Sequence, residues 1–99
     1  MARKFNGPIE GEYEGVVTAE SFRGELEGTI LEGSEMDVTV RGEGELMTSV
    51  GKETLHPDRE TQIKGPVEGK IRGEIPAGTF KIAFKGVIRG EMRGTIEPL

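Results

Sequence analysis

Ile9-Glu10-Gly11-Glu12-Tyr13-Glu14-Gly15-Val16-Val17 reads as two interleaved rows. One row holds Ile9, Gly11, Tyr13, Gly15 and Val17; the other holds Glu10, Glu12 and Glu14. A repeat of two is the period of a β-strand, whose successive side chains point to opposite faces, so one face here is apolar plus glycine and the other is charged.

The same split returns along the chain. Phe22, Gly24, Leu26, Gly28 and Ile30 alternate with Arg23, Glu25 and Glu27. Met36, Val38, Val40, Gly42, Gly44 and Leu46 alternate with Asp37, Thr39, Arg41, Glu43 and Glu45. Residues 67–75 and 79–97 follow suit, and the last run is long enough to predict a bend or bulge near Gly86, where Val87 and Ile88 adjoin. Short links around Ala19-Glu20, Gly33-Ser34 and Pro76-Ala77-Gly78 read as hairpin turns, and 51–64 reads as the irregular loop. No segment carries a helical period. The expected fold is therefore all-β, a single domain over 1–99, built as a strongly curved antiparallel barrel or half-barrel of about six strands.

Two internal echoes suggest a duplication. Residues 7–11 (GPIEG) return as 65–69 (GPVEG), and residues 22–30 (FRGELEGTI) return as 88–96 (IRGEMRGTI). Glycine weakens a strand interior and packs nothing, so its placement on the apolar face needs a reason. Either it lets the sheet curl, or it leaves interior space for an apolar ligand bordered by Leu26, Val38, Ile71 and Phe84.

Composition limits the chemistry. The 99 residues include no cysteine and no tryptophan, one tyrosine and four phenylalanines. That removes disulfides, thiolate nucleophiles and Cys-based zinc sites. The net charge is −5, and a basic stripe with stacking aromatics is missing, which argues against nucleic acid. A membrane barrel would need aromatic girdles that this sequence lacks. No apolar run has the length of a spanning helix or a secretory leader, so the expected compartment is the cytoplasm. Scarce side-chain amides among abundant Glu, Lys and Arg point to a thermophilic source.

His56 is the only histidine and Ser21, Ser34 and Ser49 have no nucleophile motif around them. The clustered glutamates lack the spacing of a calcium loop. We therefore expect no catalytic set, metal site or cofactor. Charge, by contrast, is informative: residues 1–50 carry 4 Lys/Arg against 11 Asp/Glu, and residues 51–99 carry 9 against 7. Glu10, Glu12 and Glu14 match Lys81, Lys85, Arg89 and Arg93 if the first and last segments lie side by side, closing a barrel within one chain or joining two chains. The functional expectation is a non-enzymatic structural or interaction module that forms a homo-oligomer through sheet edges or charged faces. The alternative is a small barrel holding an apolar ligand.

Overall fold

Alternation without helical periodicity leaves the backbone one way to satisfy its polar groups, the β ladder. The computed structural model describes residues 2–99. They form β1 (Arg3–Thr48), β2 (Gly51–Leu55) and β3 (Thr61–Glu97), all antiparallel in the order β2-β1-β3.

β1 and β3 run for 46 and 37 residues, far beyond the usual strand. Such lengths fit a small protein because the two strands are coiled together. Each residue in the middle of β1 meets β3 twice, once on either side: Leu26 faces Gly73 and Ile88, and Gly28 faces Ile71 and Gly86. The two partners are fifteen positions apart in β3, so an antiparallel ribbon winds until each turn lies against the next. A line across the ladder passes Tyr13, Gly86, Gly28, Ile71, Gly44 and Leu55 in succession, six passes made by only three strands.

Separate strands joined by hairpins are thus corrected to continuous strands interrupted by bulges. Ala19 pairs with Gly94 and Ser21 with Arg93, leaving Glu20 as an extra residue. Ile30 pairs with Gly69 and Ser34 with Val67, so β1 carries two extra residues at a corner, where Gly33 takes φ 89°. Gly24 pairs with Ile75 and Phe22 with Gly78, which places the irregularity at Pro76-Ala77 in β3. The residues that end strands are also those that bulges accept, since Pro lacks the N–H and Gly reaches positive φ. Near Gly86 the expected bend is absent: Glu12↔Val87, Tyr13↔Gly86 and Glu14↔Lys85 form an unbroken register. The expected loop over 51–64 is also corrected, because it contains β2 and the start of β3 and leaves only residues 56–60 irregular.

The sheet does not close into a barrel. Among the described residues, the ladder stops at residues 3–14 on one flank, where Glu97 and Pro98 lie against Gly15, and at β2 with residues 61–66 on the other. Its concave side buries one apolar core running from Ile9 and Val17 to Met92 and Ile96. No helix among the described residues is long and apolar enough to cross a membrane.

Glycines set the curvature of this coil. On one ladder each glycine faces a large residue: Gly11↔Ile88, Tyr13↔Gly86, Gly15↔Phe84, Leu26↔Gly73. On the other ladder Gly24 faces Gly90, Gly28 faces Gly86 and Gly42 faces Gly73. A Cβ on Gly24 would collide with the Arg89 carbonyl, and one on Gly42 with the Arg72 carbonyl and the Gly73 Cα. The strands pinch together at these pairs, which is what lets so narrow a sheet coil.

Candidate functional site

Backbone, rather than side-chain chemistry, supplies the most distinctive site. In an antiparallel pair, alternate residues direct both N–H and C=O toward the partner or away from it. Pro8 stands opposite Glu91 and has no N–H to give it. Eight positions on in the same unbroken register, Ala83 stands opposite Val16 yet donates its N–H to Ser34 Oγ at 2.9 Å, on the opposite side. Both observations make the even-numbered residues of this pass the ones that turn away from β3. Lys4, Asn6, Glu10, Glu12 and Glu14 therefore present N–H and C=O groups along the free flank, with the Pro8 carbonyl among them.

Side chains on this flank divide by face. Lys4, Glu10, Glu12 and Glu14 are exposed on the convex side, while Ile9 is buried. Phe5 and Tyr13 pack against the core from its margin, with their rings edge to face at 5.9 Å. Arg3 places its guanidinium 5.2 Å from the Phe5 ring centroid.

The opposite flank is built differently. β2 has five residues and joins β1 through a tight turn in which Thr48 Oγ1 donates to the Gly51 carbonyl at 2.8 Å. Glu53 shares a face with buried Leu55 and stands opposite buried Leu46. A half-buried carboxylate on the core side of an edge strand discourages further pairing. Ion pairs Lys52–Glu45 at 2.9 Å and Arg41–Glu60 at 3.0 Å cover the rest of this flank.

The charged residues singled out in the sequence lie on one continuous outer face. Glu10 is opposite Arg89 and pairs with it at 3.0 Å; Glu14 is opposite Lys85; Glu12 is opposite Val87. Arg93 stands between Asn6 and Ser21 and reaches Glu20 at 3.4 Å, and Lys81 stands between Thr18 and Glu35. The first and last segments are neighbours within one chain, but at the flank of an open sheet, so their pairing does not close a barrel. Opposite charges also face each other at Arg23↔Glu91, Glu25↔Arg89, Glu27↔Arg72, Asp37↔Lys64, Glu43↔Arg72 and Glu45↔Lys70. The acidic first half is thus interleaved with the basic second half, and Glu25↔Glu74 sets like against like.

Leu26, Val38, Ile71 and Phe84 are core side chains, none more than 2% exposed. The Phe84 ring lies over Gly28. Two surface grooves stand out. One of about 440 Å³ is lined by Glu25, Glu27, Glu43, Glu74 and Arg72 over Gly42 and Gly73. The other, about 400 Å³, has Met47, Pro66 and Val67 in its wall beside the turn that carries exposed Val50. His56 is half-buried in the loop of residues 56–60, where its carbonyl accepts the Arg59 N–H at 3.4 Å. The described residues hold no group of three His, Asp or Glu placed to bind a metal ion. No family model matches the chain, and no match is found among the curated proteins or the solved structures.

Sequence reasoning expected pairing through sheet edges but did not say which residues of the first pass turn outward. The signal for them was Pro8, an even-numbered residue in a pass whose odd-numbered residues carry the core.

Proposed function

We propose that this protein is a non-enzymatic structural or interaction module that self-associates through a free sheet edge. The observation that carries this reading is the flank of residues 3–14, an extended edge whose outward N–H and C=O groups have no ladder partner among the described residues. Charged faces are the lesser contributor, because the acidic and basic residues already alternate across the ladder within one molecule. The test is light scattering coupled to size exclusion over a wide concentration range, at low and high salt. A dimer or larger species that dissociates on dilution is the expected result; a monomer throughout would overturn the reading.

A duplication accompanies this reading at the 66-residue offset of the 22–30 and 88–96 echo; the 7–11 and 65–69 echo, offset by 58, does not share it. Gly24 and Gly90 are equivalent in the two echoes, and they stand opposite each other. The ladder of residues 3–9 on 90–96 and the ladder of 69–75 on 24–30 are then two copies of one unit. Within it Lys4, Gly7 and Ile9 correspond to Lys70, Gly73 and Ile75. This supports descent from a repeated strand pair folded about a pseudo-two-fold axis.

A further inference from the structure

The two copies of that unit differ in one respect. The outer side of residues 69–75 is covered by β1, with Glu45 on Lys70, Gly44 on Ile71, Glu43 on Arg72, Gly42 on Gly73 and Arg41 on Glu74. The outer side of residues 3–9 is bare among the described residues. The covering stretch 41–45 reads Arg-Gly-Glu-Gly-Glu, and residues 10–14 read Glu-Gly-Glu-Tyr-Glu. We infer that the bare flank is completed by residues 10–14 of a second copy, pairing about a two-fold axis at Ile9.

In that arrangement Lys4 faces Glu14 of the second copy, Phe5 faces Tyr13, Asn6 faces Glu12, Gly7 faces Gly11 and Pro8 faces Glu10, and each pair occurs twice. The list repeats the intramolecular one: a glutamate on each lysine, a glutamate on the polar position two residues on, a glycine on each glycine. Three further observations converge on it. Lys4 and Glu12 have Thr95 and Val87 as their cross-strand partners, so neither meets an opposite charge across the ladder. Gly42 and Gly73 are each pressed against the neighbouring strand, whereas a Cβ on Gly7 would meet nothing and one on Gly11 only the Tyr13 ring. A partner backbone gives Gly7 and Gly11 the role that Gly42 and Gly73 have inside the chain. Register is fixed by what lies on either side of it, since a slip of two residues sets Glu10 against Glu10 or Pro8 against Pro8. Pro8 leaves one Glu10 carbonyl per copy without a ladder donor, and every other outward group from Lys4 to Glu14 is paired.

This inference rests on the self-association reading, and charge reversal separates the two. Lys4 and Glu14 are both exposed, so their variants retain the core, which circular dichroism checks. Lys4→Glu alone, or Glu14→Lys alone, sets like charges against each other twice per dimer and should weaken the dimer on the order of tenfold. The double variant restores the wild-type affinity. Mixing the two single variants yields a heterodimer in which both pairs are again opposite. Wild-type dimers whose affinity none of these changes alters would overturn the edge while leaving self-association standing. A wild-type monomer at every concentration would overturn both.

Discussion

Residues 70–74, covered on their outer side by residues 41–45, and residues 4–8, bare on theirs among the described residues, are two versions of the same sheet flank. In the first, glycine is a steric requirement: Gly42 and Gly73 sit so close that neither strand admits a Cβ. In the second, a Cβ on Gly7 would meet nothing and one on Gly11 only the Tyr13 ring. The difference shows that glycine is required where strands cross inside the chain, and the proposed dimer would give Gly7 and Gly11 the same role.

Substitution at the two equivalent glycines should separate the flanks most widely. Gly42→Ala drives a methyl into the Arg72 carbonyl and should cost about 3 kcal/mol of folding stability, measured by urea unfolding. An unchanged midpoint would mean that the strands do not pinch there. Ser34→Ala comes next, because the buried hydroxyl accepts the Ala83 N–H at 2.9 Å and donates to the Leu31 carbonyl at 2.6 Å. Leaving that N–H without an acceptor at the corner should cost about 2 kcal/mol. Gly11→Ala meets only the Tyr13 ring but takes φ 154°, so about 1 kcal/mol is expected from the backbone of the monomer. In a dimer the same methyl lies against the facing Gly7, so Gly11→Ala should weaken association more than it weakens folding. Smallest of all is Glu10→Gln: its ion pair with Arg89 is well exposed on both sides and should change stability by less than about 0.5 kcal/mol.

Faces were legible in the sequence, and strand boundaries were not. The odd-numbered row Ile9, Gly11, Tyr13, Gly15, Val17 does line the concave side, because period two survives any amount of coiling. Ala19-Glu20, Gly33-Ser34 and Pro76-Ala77-Gly78 read as hairpin turns, and each is instead a bulge inside a continuous strand. Whether such residues reverse the chain or bulge it depends on the strand alongside, and that information lies 33 to 75 residues away in the sequence. Ser34 illustrates this: its hydroxyl replaces a ladder carbonyl for Ala83, a partner no local pattern names. The outward residues of the free edge were hidden for the same reason, since Pro8 marks an outward position only once Glu91 is known to stand opposite it.

Amide hydrogen exchange, followed by NMR at low and high protein concentration, tests the central claim most directly. The odd-numbered amides of Ile9, Gly11 and Tyr13 point into the ladder with β3 and should be protected at both concentrations. Those of Asn6, Glu10, Glu12 and Glu14 should exchange rapidly when dilute and become protected as concentration rises. Rapid exchange of the even-numbered amides at every concentration would contradict pairing through this edge, and rapid exchange of the odd-numbered ones would contradict the ladder itself.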